Sequence, residues 1–187
     1  MLTRNQIINM FPHSFKSSRN MNVAAAEKLL LDIKGIFDRN GIRFWLFCGT
    51  FLGAYRDHCL MPWDEDIDLA IFKEDMEIIA KCQRQFEEKG IFFAPEPDAV
   101  LCRDNEHADL YTFLLESDKR VRINYRIDAI DFEILDTVYF LGQRWRILNN
   151  PEKWLYYIYG PNWRKSDQGL PAHMRFHANV KKIFTDQ

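Results

Sequence analysis

Residues 64–72 read "DEDIDLAIF", four acids in five positions running directly into an apolar strand. Side chains alternate across a strand, so Asp66 and Asp68 share one face while Ile67, Leu69 and Ile71 share the other. Any fold for this chain must therefore set two carboxylates against the edge of its own core. Positions two apart on a strand lie roughly 6.5–7 Å from each other, so both carboxylates reach a single cation. Left unpaired they repel and raise each other's pKa, and a bound cation removes that cost. Oxygen-only ligands select hard ions, which points to Mg²⁺ or Mn²⁺ rather than zinc. Asp64 and Glu65 stand just ahead of the strand, where they support the site or face solvent.

A plainer explanation is a solvated strand entrance, and for an isolated D-x-D that would carry more weight. Here the acids are preceded by Pro62 and Trp63, which stiffen the approach, and by the corner "FWLFCGTFLGAYR". A strand that ends in Gly49-Thr50 and turns into a helix presents backbone N–H groups and a hydroxyl, a ready anion site. Gly53 permits a close approach to that short helix, and Arg56, one turn on, offers a bidentate clamp for phosphate. Together these are the parts for metal-assisted chemistry at a phosphate.

The chain of 187 residues suits one domain, 1–187, with residues 1–20 as an irregular polar arm. Its formal charge of −2 gives no electrostatic case for nucleic acid or an anionic membrane. The four cysteines show no metal-like spacing and read as free thiols in a reducing compartment. No signal peptide is evident, and no apolar run approaches the roughly 20 residues of a membrane helix. The expected location is the cytoplasm.

Helical spacing of Ala25, Leu29, Ile33 and Ile36 after Asn22 predicts a first helix ending at Gly41. A second, over 73–90, places Met76, Ile79, Ala80 and Phe86 inward. Residues 91–148 are mostly β, and Asn150-Pro151 opens a further helix. This interleaving predicts an α/β (α+β) mixed sheet with flanking helices. Along 121–135 the apolar register switches between Ala129 and Ile130, which implies a bulge or a strand junction. After the switch Asp131 and Glu133 point away from the core. If that strand neighbours "DIDLAIF", Asp131 completes a three-carboxylate site with Asp66 and Asp68, with Asp128 and Glu133 as rivals for the place.

The stretch "GTFLGAYRDHCLMPWDEDIDLAIF" closely resembles the signature of the LicD/fukutin family, roughly G-T-L-L-G-A-x-R followed by I-P-W-D-x-D-I-D. "DFEILD" at 131–136 is similar to that family's D-I-F-P-L-D, without the proline, and "YGPNW" at 159–163 to its Y-G-x-x-W. The resemblance implies a nucleotidyltransferase-like fold and a divalent metal. It also implies transfer of a phospho-alcohol, such as phosphocholine or an alditol phosphate, from a CDP-activated donor to a glycan hydroxyl. On that resemblance Gly49, Thr50 and Arg56 hold donor phosphates, while Asp66 and Asp68, with Asp131, bind metal and carry the catalysis. Asp64, Trp163 and His177 complete the expected substrate-binding set, Trp163 by stacking beyond a helix end and His177 as a donor contact. Core packing remains the default for Trp163, and His173 with His177 lacks the neighbouring Glu of a zinc motif.

Two other functions stay open on the sequence. One is transfer of a nucleotidyl group from an NTP, and the other a non-catalytic nucleotide- or metal-binding module. A phosphatase that uses the first Asp of D-x-D as nucleophile fits poorly, because here the apolar strand follows the acids instead of leading into them.

Overall fold

The computed structural model describes residues 2–16, 19–95, 99–122 and 125–165. Residues 1–20 are not irregular throughout. Thr3 and Gln6 form a reciprocal capping box and start helix α1, Arg4–Met10. The T-x-x-Q spacing that allows this cap stands in the sequence, but the helix has only seven residues and buries only Ile7.

Helix α2, Val23–Arg39, is capped by the Asn22 side chain, which accepts from the Ala25 N–H. Its buried stripe of Ala26, Leu29, Leu30, Ile33, Ile36 and Phe37 packs onto the sheet. Strand β1, Phe44–Leu46, leads into the short helix α3, Cys48–Leu52, and a wide π-type turn over 53–57. Strand β2, Ile67–Phe72, is buried along its whole length. The helix expected over 73–90 breaks at Cys82 into α4, Met76–Lys81, and α5, Gln83–Glu88.

Strands β3 (Phe92–Ala94), β4 (Ala99–Arg103) and β5 (Glu106–Glu116) complete a sheet in the order β1-β2-β5-β4-β3. The β2–β5 pair is parallel and the others antiparallel, so the sheet is mixed as expected. The distal half of β5 pairs with β6, Lys119–Arg122, which pairs in turn with β7, Tyr125–Asp128. A hairpin of β8 (Asp136–Phe140) and β9 (Gln143–Ile147) stands apart, with Trp145 edge-on to Phe44 of β1. Helix α6, Pro151–Tyr159, has proline in its first turn and stops at Gly160, whose φ of 79° suits glycine.

The register switch near residue 130 is a strand end. β7 stops at Asp128, and residues 129–132 coil into one 3₁₀ turn that buries Phe132 between Trp45 and Phe113. Among the described residues, no helix is long and apolar enough to cross a membrane.

Candidate active site

The strand pairing decides which carboxylates meet. β2 and β5 run parallel with Asp68 opposite Asp109 and Ile67 opposite Ala108. Alternation then sets Asp66 and Asp68 on the same face as His107, Asp109 and Tyr111. On the reverse face Ile67, Leu69, Ala108 and Leu110 are buried in the core. Asp66, His107 and Asp109 each offer a ligand atom, and these atoms lie within 4.8 Å of one another. Such a set can hold a metal ion.

The Gly49-Thr50 corner is built onto these acids. The Gly49 N–H donates to Asp68 Oδ2 at 2.8 Å, and the Asp68 N–H donates to Thr50 Oγ1 at 2.9 Å. A Cβ on Gly49 would stand 2.0 Å from Asp64 Oδ2 and 3.2 Å from Asp68 Oδ2. Glycine is therefore demanded by carboxylates crowding the backbone rather than by a turn. Gly53 has a similar reason, since a Cβ there would meet the Cys59 carbonyl at 2.6 Å.

Burial first, and then the charges of Asp68, Asp109, Asp64 and Glu65, push the Asp66 carboxyl well above the ordinary range. Asp68 is raised by burial and then by Asp64 and Asp109, against the pull of the Gly49 N–H and the Tyr111 hydroxyl. A cluster in this state is short of positive charge, which fits a bound cation. Arg4 from α1 supplies part of it, pairing with Asp109 at 2.9 and 3.1 Å. His107 is held neutral, down to about 4, chiefly by burial. Its Nδ1 meets Ser14 Oγ at 2.9 Å, its ring packs on Phe15, and its Nε2 lies 3.7 Å from Asp66. Beneath the cluster Cys48 Sγ contacts the Tyr125 hydroxyl at 3.5 Å, and burial pushes up both Cys48 and Tyr159.

Asp131 does not join this cluster. The neighbours of β2 are β1 and β5, and the 3₁₀ turn carries Asp131 to within 3.8 Å of Lys153 on α6. The rivals also lie elsewhere, with Asp128 paired to Lys119 and Glu133 exposed beyond the turn. Arg56 is engaged with its own surroundings. It pairs with Asp57 at 2.7 Å and donates to the Trp163 and Lys165 carbonyls, both at 3.1 Å. Trp163 is buried against Tyr55. Asp64 is buried beside Gly49, next to the metal-capable acids. His173 and His177 fall outside the described residues.

Sequence reasoning passed over Arg4, His107, Asp109 and Tyr111. The signal for three of them was present, since "HADLY" alternates polar and apolar residues in the same rhythm as "DIDLA".

Residues 41–156, more than half of the chain, match the LicD/FKTN/FKRP nucleotidyltransferase domain. The chain belongs to the LicD/FKTN/FKRP family. An uncharacterized protein of Rickettsia typhi is 31% identical over 105 residues, 56% of this chain and 34% of that protein. The ribitol 5-phosphate transferase FKRP of Homo sapiens is 43% identical over 44 residues, 24% of this chain and 9% of FKRP. This LicD/FKTN/FKRP domain thus spans about a third or less of the length of these curated relatives. Among solved structures, the lincosamide antibiotic adenylyltransferase LnuA shares the fold at a TM-score of 0.53 and 17% identity. That match covers 88% of this chain and 99% of LnuA.

Proposed function

We propose that this LicD-family domain is a metal-dependent transferase that moves a phospho-alcohol from a CDP-activated donor to a glycan hydroxyl. The observation that carries this is the in-register placement of Asp68 and Asp109, with Asp66 beside them and Gly49 packed against Asp68. Similarity to a ribitol 5-phosphate transferase supports the phospho-alcohol as the transferred group.

The residues that would hold the ion are Asp66, His107 and Asp109, with Asp68, the register partner of Asp109, beside them. Carboxylate oxygens favour Mg²⁺ or Mn²⁺. When bound, the ion supplies positive charge to the donor phosphate oxygens. The chain's own residues do the rest. Gly49 and Thr50 fix the backbone and carboxylate of Asp68, Asp64 adds charge beside it, and the Tyr111 hydroxyl donates to the Asp68 carboxylate. Arg4 stands at the cluster with its guanidinium on Asp109, placed to share in neutralising donor phosphate. The acceptor oxygen forms a bond to the phosphorus of the alcohol phosphate. The bond from that phosphorus to the bridging oxygen breaks, CMP departs with the electron pair, and the acceptor proton passes to a carboxylate of the cluster.

The test is a set of CDP-choline, CDP-ribitol, CDP-glycerol and NTPs, each incubated with Mg²⁺ and followed by phosphorus NMR. Metal-dependent CMP release from a CDP-alcohol is expected. Pyrophosphate release from an NTP would move the activity to nucleotidyl transfer, and inertness toward every donor would leave a binding module.

A further inference from the structure

A cavity of about 330 Å³ opens between β7, the 3₁₀ turn and the start of α6. It is lined by Arg126, Asp128, Asp131, Lys153, Tyr156 and Tyr157, over a floor of Ile127 and Trp154. Its volume is at the lower end of the range for ligand clefts, about 300–1,000 Å³. We infer that this cavity is a saccharide subsite, and that it seats one ring of the acceptor; the acceptor role rests on the transferase reading above.

Four observations support a neutral, hydroxyl-rich ligand. The lining carries two cations and two carboxylates, so no net charge favours a phosphate or a metal ion. Asp131 and Lys153 stand 3.8 Å apart, beyond direct hydrogen-bond length, with acceptor and donor capacity to spare for hydroxyls between them. The Lys153 ammonium lies 5.0 Å above the Trp154 ring, which holds its position over the floor. Tyr156 is 51% exposed, which leaves a flat aromatic face in the lining for the C–H face of a sugar.

The cavity wall is the outward side of β7, whose inward Tyr125 touches Cys48, next to Gly49. Along α6, Lys153 and Tyr159 are six residues apart, about 9 Å of helix rise, and the Tyr159 hydroxyl is pushed up first by burial and then by Cys48, Asp68 and Asp64. This assignment also gives Asp131 a role apart from the metal ligands.

The experiment is saturation-transfer NMR on the full chain with methyl pyranosides of glucose, galactose, mannose and N-acetylglucosamine, with inorganic phosphate as competitor. At least one pyranoside is expected to receive saturation. Tyr156→Ala and Asp131→Asn should each weaken it by at least about fivefold, whereas Tyr156→Phe, which keeps the ring, should retain it. Melting curves confirm that each variant folds. Signal from none of the pyranosides, undiminished signal in both weakening variants, or displacement by phosphate overturns the assignment. Mn²⁺ binding is read in parallel on wild type and Asp68→Asn. Mn²⁺ binding without saccharide binding sinks the subsite alone, and saccharide binding without Mn²⁺ binding sinks the metal-dependent reading alone.

Discussion

Asp68 of β2 and Asp109 of β5 face each other as partners across the sheet's parallel pair, one carboxylate on each side of a shared edge. Neighbouring strands lie about 4.8 Å apart, so two acids in this register cannot both stay charged cheaply without a cation. Burial first raises the carboxyls of Asp66 and Asp68, the charge of Asp109 adds to the rise, and the guanidinium of Arg4 sits on Asp109.

The pairing gives a pH dependence with a definite sign. The folded-state pKa of Asp68 lies above its ordinary value of 3.8, so the folded form binds more protons than the unfolded one across that gap. Its stabilising contribution is complete below 3.8 and is lost as pH rises through the folded value. Without divalent metal, Asp68→Asn should melt at or above wild type at pH 7–8, and the gap should close toward pH 4. Thermal melts in chelator across this range check it, and a wild-type protein clearly more stable than the variant at pH 8 would refute it.

Asp66→Ala and Asp68→Ala should each abolish metal-dependent CMP release while leaving a cooperative melting transition. Turnover at the wild-type rate in either variant, by the phosphorus NMR assay, would remove that acid from the site.

Gly49→Ala should act on both stability and metal binding. Its Cβ would sit 2.0 Å from Asp64 Oδ2, so the acid or the corner must shift. Overpacking of this kind costs about 1–3 kcal/mol, and denaturant unfolding should show it together with weakened Mn²⁺ binding.

Arg56→Lys should lower stability by about 1–3 kcal/mol through lost charged hydrogen bonds. Lysine cannot reproduce a fork that spans Asp57 and the Trp163 and Lys165 carbonyls. Donor affinity by calorimetry should change little. A large loss of donor affinity without loss of stability would restore the phosphate clamp expected from the sequence.

The local parts of the site were legible because their signals are local. Glycine at position 49, the threonine beside it and the D-x-D rhythm of 66–68 all act within twenty residues of chain, and the structure brings them together. The acid that the sheet sets beside Asp68 was not legible, because choosing between Asp109 and Asp131 requires knowing which strand lies beside β2. Periodicity shows that a residue faces a given side but not which strand is its neighbour. Arg4 was missed for a related reason, since it reaches Asp109 from 105 positions away on a helix too short to announce itself. The break near Asp131 was legible as a bulge or strand junction, but not as a 3₁₀ turn, because its apolar residues continue past Asp128 and only the fold shows Phe132 turning in among aromatic rings.

The central claim, that Asp109 and not Asp131 completes the cation site, is tested most directly by titrating Mn²⁺ into wild type, Asp109→Asn and Asp131→Asn and reading free ion by electron paramagnetic resonance. Asp109→Asn should weaken binding by at least about tenfold, the loss of one charged ligand, while Asp131→Asn binds as wild type. Wild-type affinity in Asp109→Asn with binding lost in Asp131→Asn would contradict the strand-pair site.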